Sequence, residues 1–178
     1  MGAEKKVARE ADLKAHIAAD WKTAHGIWGN VKETIVSFTG QFRAYKNAAQ
    51  NNLTINTYTK IALDAESYDR GGYFDSTTDY DFTAPVAGLY HFTGQVRMST
   101  CQINKNNYIA LYKNGSAVTE AYDSSNAAGA NMTLRISDTL DLAAGDTITL
   151  YVKMGADGAA NVVTGAANTF LTGHFVGE

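Results

Sequence analysis

The spacing of the apolar residues changes near residue 40, and no other feature of the sequence constrains the fold as strongly. Before this point Ala, Lys and Glu are frequent and apolar residues recur at helical spacing. After it Thr, Tyr, Val, Asn and Gly dominate, and apolar residues alternate with polar ones. Because helices and strands need different periods, we predict a helical stalk or anchor at 1–40 and a β domain at 41–178.

The N-terminal part carries apolar residues at alternating steps of four and three, the spacing of a coiled-coil seam. An isolated helix this short cannot bury two tryptophans by itself, so we predict that the seam packs against other chains or against the β domain. Gly26 and Gly29 leave open whether the stalk is one helix or two, the second capped by Asn30 and Glu33. The predicted association residues are Ile17, Trp21, Trp28, Val31, Ile35 and Phe38.

Residues 41–178 are predicted to form eight to ten short strands with no helix between them, which favours a sandwich or barrel. In the run 89–98, Tyr90, Phe92, Val96 and Met98 share one face. The runs 131–142 and 147–154 alternate in the same way. The dipeptide Asn114-Gly115 predicts a hairpin, and 144–146 predicts a second turn.

Composition and charge narrow the class of protein. With 178 residues, 45% hydrophobic and 19% charged, the chain is neither disordered nor of low complexity. No run reaches the roughly 18 apolar residues that span a bilayer, and no signal peptide is recognisable, so we expect synthesis in a cytoplasm. Residues 61–178 carry six Lys or Arg against thirteen Asp or Glu, and this acidic balance argues against nucleic-acid binding. The single cysteine, Cys101, is interpreted as a structural thiol.

Several motifs in the β part occur in a familiar order. They are 59–61, 73–75, Phe82 followed after five residues by Gly88-Leu89-Tyr90-His91-Phe92, then 109–115, 140–146 and 168–175. This series resembles the complement C1q globular-head family, which is related in fold to tumour necrosis factor, over residues 41–178. Gly94 departs from the family pattern, because an aromatic residue is customary there. The spacing from the aromatic residues at 73–74 to Phe82 is also one residue longer than usual, with 77–80 in place of a Thr-Gly turn.

The resemblance implies a mainly β fold, a ten-stranded antiparallel jelly-roll sandwich that assembles as a homotrimer. Its signature core would consist of Phe82, Gly88, Tyr90 and Phe92. Ten tyrosines and seven phenylalanines exceed what one sandwich needs to fill its core, so a trimer axis would offer a place to bury the surplus apolar surface.

The stalk supplies a second resemblance. Residues 11–20, followed by 24–27, contain Asp12-Leu13, His16 and His25-Gly26-Ile27, and resemble a segment of phage tail-fibre and other virion proteins. The two resemblances together imply a non-enzymatic bacteriophage structural protein, a head-fibre, decoration or tail-fibre component located in the virion. Its partners would be itself, other virion proteins and a host receptor or glycan, with no nucleic acid and no membrane insertion. The alternatives are a secreted complement-like lectin or adhesin and, less favoured, a polysaccharide depolymerase.

No catalytic motif is evident in the sequence, and no cofactor is expected. An acidic run between residues 64 and 81 supplies oxygen ligands of the kind that calcium prefers. Asp75, Asp79 and Asp81 are therefore weak calcium candidates, although such loops are more often simply solvated.

Overall fold

The computed structural model describes residues 40–51, 53–101, 104–124, 130–155 and 161–177. The predicted stalk, including Ile17, Trp21, Trp28, Val31, Ile35 and Phe38, lies outside these residues. The described part forms eleven strands and no helix. The strands are β1 (Gln41–Tyr45), β2 (Tyr58–Lys60), β3 (Ala65–Arg70), β4 (Phe82–Thr83), β5 (Gly88–Cys101), β6 (Asn106–Lys113), β7 (Ser116–Ser124), β8 (Ala130–Leu142), β9 (Thr147–Met154), β10 (Asn161–Val162) and β11 (Phe170–Gly177).

The strands pair into two antiparallel sheets. Sheet A has the order β8, β5, β11, β1, β3, and β10 pairs with the end of β5 beside β11. Sheet B has the order β7, β6, β9, β2, and β4 pairs with β9 beside β2. The predicted antiparallel sandwich is therefore confirmed. The number of strands differs from the ten predicted, because β4 and β10 are two-residue pairings that sequence alternation cannot register.

The alternation found in the sequence matches the burial of the long strands. In β5, Tyr90, Phe92, Val96 and Met98 are fully buried, and Gly94 lies on the same inward face, while His91, Thr93, Gln95 and Arg97 face away from the core. In β9 every second residue from Ile148 to Met154 is likewise buried. Each strand thus contributes one apolar face to a shared core between the sheets.

Both predicted turns are present. Asn114 and Gly115 have φ values of 49° and 79° between β6 and β7, as a type I′ hairpin requires. Gly145 has φ 87° between β8 and β9. The Asp146 carboxylate accepts a bond from the Asn114 side chain at 2.7 Å and pairs with Lys113 at 2.8 Å, so the two turns are tied together.

The two departures from the family pattern are accommodated locally. A Cβ on Gly94 would lie 3.0 Å from side-chain atoms of both Ile136 and Leu150, so these aliphatic side chains fill the space above its backbone. In the longer loop the Asp75 carboxylate accepts bonds from the amides of Thr77 and Thr78 at 2.7 and 2.9 Å. Tyr80 takes the left-handed conformation with φ 52°, which lets this loop close.

Two further sequence interpretations can be compared with the structure. Cys101 is fully buried, and burial raises the pKa of its thiol, as expected of a structural residue. Across the described ranges, no helix is long and apolar enough to cross a membrane.

Candidate binding surfaces

The family signature residues serve the packing of the fold, and their three aromatic side chains are inaccessible to a partner. Phe82, Tyr90 and Phe92 are fully buried, and the Phe82 ring lies 5.6 Å from that of Phe92 and 5.5 Å from that of Tyr90. Gly88 has φ 141°, and a Cβ there would lie 2.7 Å from the carbonyl oxygen of Gly177. The signature therefore specifies packing, and binding must be sought on the outer faces.

The outward side of Sheet A, here called Face A, crosses five strands and is mainly polar. The expected surplus of apolar surface is not concentrated on it, because hydroxyl, imidazole and guanidinium groups occupy most of its positions. Alternation and register place on Face A the residues Gln41, Arg43, Tyr45, Ala65, Tyr68, Arg70, Leu89, His91, Thr93, Gln95, Arg97, Thr133, Arg135, Ser137, Thr139, Asp141, Phe170, Thr172 and His174.

At the centre of Face A an imidazole lies among hydroxyl groups. His91 Nδ1 lies 3.0 Å from the Thr139 hydroxyl, and its Nε2 lies 3.2 Å from Ser137 Oγ and 3.4 Å from Thr93 Oγ1. His174 is the direct cross-strand neighbour of His91, with ring centroids 5.6 Å apart. Cross-strand contacts of this kind hold the side chains of three strands in one arrangement.

Face A is more basic than the domain as a whole. It carries Arg43, Arg70, Arg97 and Arg135 against a single carboxylate, Asp141. The Arg43 guanidinium stacks 4.0 Å above the Phe170 ring, which holds that charge in place. Face A therefore suits an acidic or hydroxyl-rich partner surface.

The β7 edge of Sheet B offers such a surface. In the described residues β7 pairs only with β6, so its other side is an open strand edge. It carries Glu120 and Asp123 together with two exposed apolar side chains, Val118 at 45% and Tyr122 at 64%. Between β7 and β8 lies a groove of about 260 Å³, lined by Ala121, Tyr122, Asp123, Thr133, Leu134 and Arg135.

The outward side of Sheet B, here called Face B, carries a cluster of aromatic rings. Tyr112 stacks on Tyr151 with centroids 4.0 Å apart and lies 5.7 Å from Tyr58. The Lys153 ammonium lies 3.9 Å from the Tyr108 ring centroid and 4.5 Å from that of Tyr58. Burial, followed by the nearby Tyr151, raises the pKa of Tyr112 above its ordinary value.

One end of Face B leads into a polar cavity of about 300 Å³. Its walls are Asn56, Asn104, Lys105, Asn106, Tyr108, Lys153 and Gly155. Among the described residues, two ammonium groups, three side-chain amides and one aromatic ring therefore line this space. Such walls can donate several hydrogen bonds to hydroxyl or anionic groups of a ligand.

The predicted calcium candidates Asp75, Asp79 and Asp81 lie in the loop between β3 and β4. The Asp75 carboxylate accepts bonds from its own turn, beginning with the amide of Thr78 and the hydroxyl of Thr77, and these bonds hold its pKa far below the ordinary value. Burial and then the neighbouring Asp79 raise the pKa of Asp81. In the described ranges no group of three or more His, Cys, Asp or Glu side chains is arranged to hold a metal ion. Calcium binding stays an untested prediction.

Sequence reasoning did not identify either outer face as a site. The alternation in β5 already placed His91, Thr93 and Arg97 on one side of that strand, but it did not show which side chains of β8 and β11 lie beside them. That register depends on pairing between distant residues, from Arg97 with Thr133 to His91 with Thr139. For the same reason the tyrosines of Face B could be counted but not assembled into a cluster.

Structural comparison places the fold among the tumour necrosis factor-like proteins. Eiger TNF from S. frugiperda superposes with a TM-score of 0.62 at 11% identity, covering 79% of this chain and 94% of its own. Murine APRIL gives 0.57 at 13% identity, covering 78% and 99%. The globular domain of zebrafish complement 1qA gives 0.57 at 15% identity, covering 78% and 97%. At these identities the likeness concerns the fold alone.

Sequence comparison gives the family. No curated protein matches the chain. A family model described as the C1q domain matches residues 41–176, which is more than half of the sequence. The resemblance found in the motifs is thereby confirmed, and the chain belongs to the C1q domain family.

Proposed function

We propose that the β domain is a non-enzymatic binding head that acts as a homotrimer. The observation that carries this proposal is the pairing of a C1q domain with two chemically different outer surfaces, the basic Face A and the acidic β7 edge. Cyclic trimers need two such complementary surfaces, because each copy presents one surface to the preceding copy and the other to the next.

The contacts between copies follow from this complementarity. Arg97 and Arg135 on Face A meet Glu120 and Asp123 on the β7 edge of the neighbouring copy. Tyr122, the most exposed large apolar side chain among the described residues, supplies the apolar anchor of the contact. Both surfaces then leave water. Tyr122 also packs on Tyr108 with ring centroids 5.5 Å apart, so the part of Face B away from β7 is the part that stays accessible on the outside of each copy.

Face B and its adjoining cavity are the proposed ligand-binding surface. Tyrosine contributes a large contact area together with a hydroxyl group at little cost in side-chain entropy. Three heads acting together would strengthen a weak contact through avidity. The expected ligand is a host receptor or surface glycan.

We further propose that the protein is a component of a bacteriophage virion, as a head fibre, a decoration protein or a tail fibre. Support comes from the N-terminal segment around Asp12, His16 and His25, which resembles virion proteins, and from the predicted seam. Replacing Trp21 and Trp28 together with Lys should abolish attachment to particles, because the seam would lose its largest apolar contacts. Unchanged attachment would contradict this placement.

Native mass spectrometry of the untagged full-length chain tests the trimer. A species near three times 19.1 kDa is expected at micromolar concentration. A monomer at every concentration would refute the proposal.

A secreted complement-like lectin or adhesin module is the second candidate, and the aromatic cluster on Face B suits it equally well. Replacing Trp21 and Trp28 separates the two candidates. A free lectin would keep its glycan binding without a particle, whereas a virion component acts only when attached.

A further inference from the structure

The two histidines of the described β domain stand side by side on Face A. His91 of β5 and His174 of β11 are direct partners in the antiparallel register, so both rings project from the same side of Sheet A. Their ring centroids are 5.6 Å apart and the rings are tilted by 54°. In the separate chain His174 is exposed and His91 is half-buried, so an ion from solvent can reach the pair before the copies associate.

The surroundings of His91 hold one ring nitrogen more firmly than the other. Thr139 Oγ1 lies 3.0 Å from Nδ1, whereas the hydroxyl contacts to Nε2 are longer, 3.2 Å to Ser137 and 3.4 Å to Thr93. A donor bond from Nδ1 to an oxygen is the usual support of a metal-binding histidine, because it fixes the tautomer and aims Nε2 outward.

Two other roles fit this cluster less well. A Ser137–His91 catalytic dyad would need an acceptor that stabilises the imidazolium, but Nδ1 meets a threonine hydroxyl where such dyads use a carboxylate or amide. A pair of histidines fixed by ion pairs is also excluded, since neither imidazole forms an ion pair within the described ranges.

We propose that His91 and His174 form a binding site for a late first-row transition metal ion of the Zn²⁺, Ni²⁺ or Cu²⁺ class. Imidazole nitrogen is a preferred ligand of these ions, while Ca²⁺ and Mg²⁺ prefer oxygen. The ion replaces the two long hydroxyl contacts at His91 Nε2, while Thr139 keeps its bond to Nδ1. A small rotation of the exposed His174 ring brings its nitrogen to the same ion, and water completes the coordination.

Because His91 and His174 lie on Face A, we expect metal binding to be coupled to assembly of the trimer. This coupling rests on the proposed trimer. Face A is the surface that we assign to the neighbouring copy, so a bound ion lies at the contact between copies. A ligand that binds the assembled state more tightly than the separate chains shifts the equilibrium towards assembly.

Isothermal titration of the untagged full-length chain with Zn²⁺ tests the site itself. The chain has four histidines, which permits a matched design. His91→Ala and His174→Ala should each weaken Zn²⁺ binding about tenfold or more, and Thr139→Val should weaken it about tenfold through the lost orienting bond. The double variant His16→Ala with His25→Ala should leave this binding event unchanged.

The titration and an NMR measurement each support or overturn the proposed metal site. Loss of binding in the His91 and His174 variants, with Ca²⁺ giving no heat assigned to the pair, supports the site. Zn²⁺ binding that survives both variants, or that disappears with His16 and His25, overturns it. Broadening of the His91 and His174 imidazole NMR signals by Cu²⁺ gives a second readout, and its absence would also overturn the site.

Sedimentation velocity with and without Zn²⁺ tests the coupling separately. Zn²⁺ should move the wild-type chain towards the trimer at dilute concentration and should have no such effect on His174→Ala. Zn²⁺ binding without any change in assembly would refute the coupling while leaving the metal site intact. A chain that is monomeric under all conditions would instead contradict the proposed trimer.

Discussion

Two aromatic clusters of the same domain differ in what surrounds them. In the interior, Phe42 stacks between Phe74 and Phe82 with centroid distances of 4.9 Å, and the three rings are almost completely buried. On Face B, Tyr112 and Tyr151 stack at 4.0 Å, but the cluster keeps one side in water. Ring-to-ring contact on Face B is thus at least as close as in the interior.

This difference separates the aromatic residues that stabilise the fold from those that are available for binding. The interior rings include the residues by which the family is recognised, so the family signature reports the packing of the sandwich. The Face B rings are not needed to close the core and are available to a partner. Substitutions in the two clusters should therefore have different consequences.

The largest expected effect comes from truncating an interior ring. Phe92→Ala should lower the free energy of unfolding by about 3–5 kcal/mol, because it removes a fully buried ring and leaves a cavity among its neighbours. Chemical denaturation at neutral pH measures the change. A loss below about 1 kcal/mol would mean that the interior cluster is not the main source of packing energy.

Adding a single methyl group to the interior should come next. A Cβ at position 173 would lie 2.7 Å from ring atoms of both Phe42 and Phe92, so Gly173→Ala forces two packed rings apart. We expect a loss of about 1–3 kcal/mol in unfolding free energy. Gly72→Ala, where no atom lies within 4 Å, controls for removal of a glycine, although its φ of 71° adds backbone strain.

Truncation on Face B should cost less. Tyr112→Ala removes the contacts with Tyr151 and Tyr58, and aromatic pairs of this kind contribute about 0.5–1.5 kcal/mol beyond their buried area. Denaturant midpoints of this variant and Phe92→Ala, recorded side by side, compare the clusters directly. Equal losses would contradict the distinction between them.

The smallest effect concerns the contacts of Asp146 with Lys113 and Asn114, which join the two turns. This effect depends on pH. The Asp146 pKa is lowered from 3.8 to about 2, first by the bond from Lys113 and then by that from Asn114. Because its pKa is depressed in the folded state, the ionised Asp146 carboxylate stabilises the fold at pH values above its ordinary pKa of 3.8. This stabilisation disappears as the pH falls through about 2. Wild-type stability should therefore fall more steeply between about pH 4 and 2 than that of Asp146→Asn, as thermal unfolding would show.

Much of the fold follows from the sequence, because local patterns determine it. Alternation in 89–98 and 147–154 identified the buried faces of β5 and β9. Asn114-Gly115 identified its hairpin, because few other dipeptides adopt two positive φ angles. The short β4 and β10 were missed, since a two-residue pairing leaves no periodic signal.

The outer faces could not be predicted, because they depend on contacts between distant segments. His91 meets Thr139 and His174 only after β8 and β11 have paired with β5, and no local pattern encodes that register. Lys153 contacts Tyr58 and Tyr108 for the same reason. The surplus apolar surface expected from the sequence is also spread over several places. Exposed apolar side chains lie at Tyr68, Leu89 and Val176 as well as on the β7 edge.

The assembly of copies through Face A and the β7 edge is tested most directly by sedimentation equilibrium of three point variants. Leu89→Asp on Face A and Tyr122→Asp on the β7 edge each place a charge in the proposed contact, whereas Ile55→Asp makes a similar change at a comparably exposed site outside it. The wild type and Ile55→Asp should be trimers, and the other two should dissociate at the same concentration. Trimers in all four proteins, or a monomeric wild type, would contradict this account.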